Sequence, residues 1–477
     1  MSAMLTLAQA LAWLPGAQLA GDGTVAVQRV HTDTRSLQPG DWFVALRGER
    51  FDAHDFLAQA RASGAVAALC EFGAADRLAA AGLPGLLVPD TRLALAALAS
   101  AWRAQFSLPL IGVTGSNGKT TVTQMIAAIL RAWKPQANLA TLGNLNNDIG
   151  VPLTLLRLRA LHEVAVLELG MNHPGELALL AGLARPTVAL VNTAQREHLE
   201  FMATVAAVAQ ENGSVISALP ADGVAVFPAH DPYSPLWTGL AGARPVLRFD
   251  GHVAVDGTSP TADVRCTGAQ WSGAAWQVSV HTPAGPLQYP LHIAGRHNVT
   301  NSLAAVACAC AVGVPLAAMA QGLAAFEPVK GRSRARQISV ADHAVTLVDD
   351  SYNANPDSVQ AAIEVLTALP APRLLVLGDM GEVGDQGPLF HAQAGELAQQ
   401  LGIEQVFTLG TLARHTAAST SVARHFDDMA SLQVAVLAEL PRLGSVLVKG
   451  ARFMKMEQVI VALEASVQPQ EAAHHAA

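Results

Sequence analysis

One short stretch constrains this chain more than any other: GVTGSNGKTT at residues 112–121. The apolar run LPLIGV ahead of it is long enough for one buried strand. Behind it, TTVTQMIAAILRAW places Val122, Met125, Ile126, Ile129 and Leu130 on one helical face. Strand, glycine-rich turn and helix in that order make a phosphate cradle. Gly115 and Gly118 can take positive φ, so the backbone N–H groups of the turn, through Ser116 and Asn117 and on to Thr121, can point inward. The helix N-terminus adds partial positive charge. Lys119 can reach the outer phosphates of a bound ATP, and the Thr120 hydroxyl can ligate Mg2+. The spacing departs from the strict P-loop form: Val113 stands where its first glycine belongs, and Gly112 comes one place early.

A chain of 477 residues suggests about three domains. With 51% hydrophobic and 14% charged residues, each domain can bury a real core. A formal net charge of −8 argues against a nucleic-acid partner. No charge-free apolar run is long enough for a membrane span, so no stable membrane insertion is expected. The N-terminal MLTLAQALAWLPGAQLA has no Lys or Arg ahead of Arg29 and reads as an amphipathic helix rather than a leader. Cys70, Cys266, Cys308 and Cys310 lack metal or redox spacing and fit a reducing cytoplasm.

The expected fold class is α/β in three parts. Residues 1–105 form a small α/β domain. Residues 106–325 form the central P-loop domain, within which 250–293 alternates polar and apolar residues as an antiparallel hairpin layer. Residues 326–465 carry AVTLVDD, RLLVLGD, QVFTLG and SVLVKG, short apolar strands ending in Asp or Gly. That pattern predicts a Rossmann-like doubly wound sheet with ligands at the strand ends. Residues 466–477 read as a disordered tail.

Several residues outside the cradle carry chemistry. Glu168 ends VAVLELG, and a strand-end carboxylate beyond a P-loop can hold Mg2+. His198 lies in VNTAQREHLEF, after the next strand; imidazole is an uncommon Mg2+ ligand, and spacing alone leaves a core or surface role open. Asn144, Asn146 and Asn147 suit either a peptide-like substrate or turns. Asn298 and Asn301 share a face at a helix start, where amides can read an adenine edge or cap the helix. LVDDSYNANPDS is the densest polar cluster, placing Asp349, Asp350, Asn353 and Asn355 at the mouth of the third domain.

Together these stretches resemble the Mur ligases of peptidoglycan synthesis. The resemblance covers nearly the whole chain: DTRSLQPGDWFVALRGERFDAHDF, GVTGSNGKTT, TLGNLNNDIGVPLTLL, LELGMN, GRHNVTNSLAA, DDSYNANPDS, VLGDM and VLVKGARFMKME, in family order. DDSYNANPDS with GNLNNDIGVP is similar to the members that add D-Ala-D-Ala rather than a single amino acid. The resemblance implies a cytoplasmic, monomeric ligase that uses ATP and Mg2+. The peptide carboxylate of UDP-N-acetylmuramoyl-tripeptide would become an acyl phosphate, which the amine of D-Ala-D-Ala attacks. It implies catalytic roles for Lys119, Glu168 and His198, with Thr120, Glu168 and His198 at the metal. Thr34, Arg35 and His54 match UDP contacts, and Asn144, Asn146 and Asn147 match muramoyl-peptide contacts. Asn298 and Asn301 match adenine contacts. Arg332 and Asp350 match nucleotide contacts made when the third domain closes, and Asn353 and Asn355 lie in the closing loop. The alternatives are a single-amino-acid Mur ligase, folylpolyglutamate synthase or, from another class, a P-loop switch or motor. There are two departures. Ala53 replaces a family glycine. Asn212 stands where members commonly carry a carbamylated lysine, and no lysine occurs between Lys134 and Lys330. The expectation is an enzyme that works without a carbamate, with Glu211 as a stand-in only if its helix is rotated or frayed.

Overall fold

The computed structural model describes residues 3–253, 262–340 and 343–467. Three α/β layers follow one another along the chain, each built on its own sheet. The first sheet has five strands, in the order Gln18–Ala20, Gly85–Val88, Ala67–Glu71, Asp41–Val44 and Arg29–His31; only the first runs antiparallel to its neighbour. The N-terminal run forms a helix, Leu7–Trp13, started by a capping box between Thr6 and Gln9.

The central sheet has nine strands. From one edge they are Gly285–Leu291, Trp276–Thr282, Val264–Trp271, Val246–Asp250, Val224–Pro228, Val188–Val191, Leu110–Thr114, Val164–Glu168 and Asn138–Ala140. The first three form the expected antiparallel layer, and the rest pair in parallel. The P-loop strand Leu110–Thr114 is buried along its whole length because both faces are covered. Ile111 and Val113 join the core that contains Met125 and Ile129 of the helix Lys119–Trp133, while Leu110 joins Leu167 and Leu180 on the other side. That alternation is the period-2 geometry of a strand. The same second core extends to Trp42, Leu98 and Trp102, so the first and central layers share packed interior. The Trp102 indole N–H donates to the Leu158 carbonyl at 3.1 Å, and the buried Arg103 guanidinium donates to the carbonyls of Ala184 and Arg185.

The third sheet runs Arg334–Val340, His343–Asp350, Ser445–Lys449, Arg373–Gly378, Gln405–Leu409 and Ala423–Phe426. The middle four are the apolar runs expected from sequence. The two edges are additions, and Arg334–Val340 is antiparallel. The last helix, Glu457–Val467, extends into the region read as a tail; residues 468–477 lie outside the described residues, as does 254–261 of the hairpin layer.

One topological fact places the chemistry. Leu110–Thr114 lies between Val164–Glu168 and Val188–Val191, all parallel. The P-loop, Glu168 and the segment after Val191 therefore emerge side by side at one sheet edge, where ligands of such sheets bind.

Candidate active site

The turn after Leu110–Thr114 has the expected backbone: Gly115 has φ 129° and Gly118 has φ 82°. Gly118 is required twice over. Its φ is left-handed, and a Cβ there would stand 2.5 Å from Asn301 Oδ1 and 2.6 Å from Asn192 Nδ2. Asn192, which the sequence reading missed, donates to the Asn117 carbonyl at 2.8 Å and to Asn301 Oδ1 at 2.9 Å. It thereby ties the P-loop to the helix Arg296–Ala311. Asn301 in turn donates to Asn298 Oδ1, and Asn298 to the Ala294 carbonyl.

Lys119 begins its helix and turns its ammonium inward. Its Nζ donates to the carbonyls of Gly115 (2.7 Å) and Ser116 (3.2 Å) and to Glu197 Oε1 (2.7 Å), so all three N–H groups are engaged by the protein. Thr120 Oγ1 donates to Glu168 Oε1 at 3.2 Å, and Asn146 Nδ2 donates to the same oxygen at 2.7 Å. Glu168 is only 1% exposed, and its Oε2 has no hydrogen-bond partner among the described residues. Glu197 Oε2 is in the same condition. Two orphaned carboxylate oxygens beside a phosphate cradle fit a hard divalent cation completed by phosphate and water.

His198 sits between two acids, with Nε2 3.4 Å from Glu197 Oε1 and Nδ1 against Glu382 of the third domain. Burial disfavours the imidazolium, but the two carboxylates outweigh it and raise its pKa to about 9. Burial also works against the Glu197 carboxylate, yet Lys119 and His198 hold its pKa below the usual range.

These groups line a cleft of about 1250 Å³ between the central and third domains. It brings together Ser116, Asn117, Gly118, Lys119, Thr120, Thr121, Glu168 and His198 with Asn144, Asn146 and Asn147. It also holds Asn298, Asn301, Arg332, Asp350, Asn353 and Asn355. Several are occupied by neighbours. Asn147 Oδ1 accepts from Gly150 N at 2.8 Å and so starts a helix, the turn role left open in sequence. Asn355 caps the helix Pro356–Thr367 and also donates to Asn117 Oδ1 at 3.0 Å, across the cleft. Asp350 pairs with Lys449 at 2.6 Å, and the Arg332 guanidinium lies 4.0 Å over the Tyr352 ring.

Three expected residues lie away from the cleft. Arg35 is exposed and pairs with Asp33, and Thr34 is half-buried beside it. His54 is 1% exposed with both ring nitrogens committed: Nδ1 to Asp52 at 2.5 Å, and Nε2 accepting from Glu71 N at 3.0 Å. In this geometry His54 holds a strand in place and has no free nitrogen for a ligand. Glu211 is also elsewhere. Its Oε1 accepts from Leu177 N at 2.9 Å, at the start of the helix Glu176–Ala184. Asn212 accepts from Thr114 Oγ1 at 2.8 Å. The helix Val205–Ser217 is intact through both positions, so it is not frayed there, and the Glu211 carboxylate meets the Leu177 amide instead of lining the cleft.

Three family models match in chain order: Mur ligase family, catalytic domain, at residues 26–103; Mur ligase middle domain at 113–309; and Mur ligase, glutamate ligase domain, at 333–452. The UDP-N-acetylmuramoyl-tripeptide–D-alanyl-D-alanine ligase of Escherichia coli (strain K12) is 41% identical, over 92% of this chain and 94% of its own. A crystal structure of MurF from Acinetobacter baumannii superposes with a TM-score of 0.85 at 32% identity, covering 96% of this chain and 98% of that one. MurF from Thermotoga maritima in complex with ADP gives 0.78 at 26% identity, over 92% and 97%.

Proposed function

The chain belongs to the Mur ligase family, and from that premise we propose that it joins D-Ala-D-Ala to the peptide carboxylate of UDP-N-acetylmuramoyl-tripeptide, consuming ATP with Mg2+. The observation that carries this reading is the shared cleft: a phosphate cradle, an orphaned Glu168 oxygen and a bank of amides face one space.

The chemistry follows from what a carboxylate lacks. It is a poor electrophile with no leaving group. Transfer of the γ-phosphate converts it to an acyl phosphate, the dipeptide amine attacks that carbonyl, and the tetrahedral intermediate expels phosphate to leave an amide. The protein's part is positioning and charge stabilisation. Lys119 leaves its inward carbonyl contacts to meet the transferring phosphate. Thr120 and Glu168 would hold Mg2+, which neutralises phosphate charge when bound; His198 would join them only after giving up the proton that Glu197 and Glu382 favour. Asn146 fixes the rotamer of Glu168 through its 2.7 Å hydrogen bond. Asn144 and Asn147 face the peptide, Asn298 and Asn301 the adenine, and Arg332 and Asp350 the nucleotide once they exchange their present partners. Asn353 and Asn355 close the third domain over the P-loop, keeping water from the acyl phosphate.

On this reading residues 1–105 take the uridine end through Thr34 and Arg35, 106–325 hold ATP, and 326–465 close over the bound nucleotide. Among the described residues no helix is long and apolar enough to cross a membrane. On the same reading the enzyme works in the cytoplasm, with its nucleotide-linked substrate, and acts as a monomer.

ADP release measured with UDP-tripeptide, with and without D-Ala-D-Ala, tests the assignment. Sustained ADP release should require both substrates, with UDP-tripeptide alone giving no more than about one ADP per enzyme. Equal turnover with a single amino acid would make it a different ligase, and sustained ADP release without either substrate would favour a P-loop switch.

A further inference from the structure

Glu197 has no part in the reaction derived above, yet it sits at the centre of the cradle. It is 8% exposed. Its Oε1 receives Lys119 Nζ at 2.7 Å and lies 3.4 Å from His198 Nε2, while its buried Oε2 has no hydrogen-bond partner among the described residues. Glu168 shows the same half-satisfied state on the other side of the P-loop, because their two strands flank Leu110–Thr114. Lys119 now spends its three N–H groups on Gly115, Ser116 and Glu197, so engaging phosphate means drawing the ammonium out of this pocket and weakening its hold on Glu197. When it moves to the phosphates, the carboxylate loses its closest cation and keeps only His198 beside Oε1, while the buried Oε2 stays unpartnered, which is unfavourable. A divalent ion carried by the same phosphates restores the balance. Mg2+ is typically held by one or two carboxylates plus phosphate and water, not by an all-protein cage. Accordingly, among the described residues no three His, Cys, Asp or Glu side chains form a ready metal cage. Glu211, a buried acid outside the cleft, is committed to the Leu177 amide.

We propose that Glu197 is an exchangeable carboxylate: it holds Lys119 in the nucleotide-free cleft and turns to a divalent cation when Lys119 engages the phosphates. The proposal rests on the reading of this cleft as a Mg–ATP site, and deepens it by adding a metal-site residue.

The test uses Mn2+ as the probe, followed by its free-ion EPR signal. The full chain is titrated with and without a non-hydrolysable ATP analogue. In the presence of analogue, Glu197→Gln should lose about tenfold or more in Mn2+ affinity. Its affinity for the analogue without metal should hold or improve, because Lys119 is released. Glu197→Asp keeps the charge with a shorter reach and should lose less, which keeps the test open if the amide variant fails to fold. Mn2+ affinity of both variants within about twofold of the parent would overturn the proposal and leave Glu197 as a positioning residue for Lys119 alone. A parent chain that binds no analogue would instead overturn the nucleotide reading underneath, and this proposal with it.

Discussion

On the central side of the cleft, position is set by backbone. Gly115 and Gly118 shape the turn, strand register places Glu168 beside it, and Asn192 stitches the loop to the helix behind. On the third-domain side, the corresponding groups are held by one another. Asp350 is paired with Lys449 and accepts from Ser333 N at 2.9 Å, and Arg332 is stacked on Tyr352. Contacts that bridge the two include Asn117 with Asn355, Arg196 with Asp357 at 2.8 Å, and His198 with Glu382. The contrast separates a wall whose backbone is built before ligand arrives, with Lys119 and Glu197 as its exchanging side chains, from one held throughout by side-chain pairs that must trade partners to receive ligand. Such trading is how a hinged domain couples binding to closure.

The sharpest way to break the comparison is to remove a stored pair. Lys449→Met leaves Asp350 without its buried cation, and Lys449 is only 3% exposed. Loss of one partner of a buried pair costs about 3–5 kcal/mol. Thermal unfolding should show this as a large drop in Tm; an unchanged Tm would mean the third wall does not depend on that pair.

Next comes the built wall. Lys119→Ala should lower turnover by about 10²–10³-fold, the usual cost of one charge-stabilising donor. Binding of the UDP-tripeptide, measured by calorimetry, should barely change, since its uridine end meets a different domain. Near-normal turnover would sink the phosphate assignment.

The bridge is a smaller term. Arg196 and Asp357 remain 29% and 20% exposed at the side chain, so solvent screens them. Asp357→Ala should cost about 1 kcal/mol of closure or less. The expected readout is a few-fold rise in KM for ATP and a slightly larger radius of gyration by small-angle scattering; an unchanged KM and radius would mean the pair does not hold the domains together.

The smallest effect concerns the missing lysine. Glu211→Gln should remove a helix-start interaction of about 0.3–1 kcal/mol and leave the Mg2+ requirement unchanged. Stripping CO₂ should not alter activity. A raised Mg2+ requirement in Glu211→Gln would contradict the first statement, and activity lost on stripping and restored by bicarbonate would contradict the second.

Much of this was legible locally. The P-loop glycines, the buried face of the helix Lys119–Trp133 and the four inner strands of the third sheet are set by residues close in sequence, and short-range periodicity reads them. The edge strand Arg334–Val340 was missed because RARQISV mixes charge with only two buried positions, Ile338 and Val340. Asn192 and Glu197 were missed for another reason. Their partners are at Asn117 and Asn301, and at Lys119, and only sheet order brings those together. His54 differs in the opposite direction, with a local partner where the sequence suggests a ligand contact. Asp52, two residues earlier, takes its ring into a local hydrogen bond that the motif alone does not reveal.

The central claim is that the γ-phosphate of ATP passes to a peptide carboxylate held in this cleft. UDP-tripeptide labelled with ¹⁸O in its terminal carboxylate, turned over with ATP and D-Ala-D-Ala, tests it directly by mass spectrometry of the released phosphate. Each phosphate should carry one ¹⁸O, because the acyl phosphate's bridging oxygen comes from the substrate. Phosphate released without label, while the amide forms, would contradict the account.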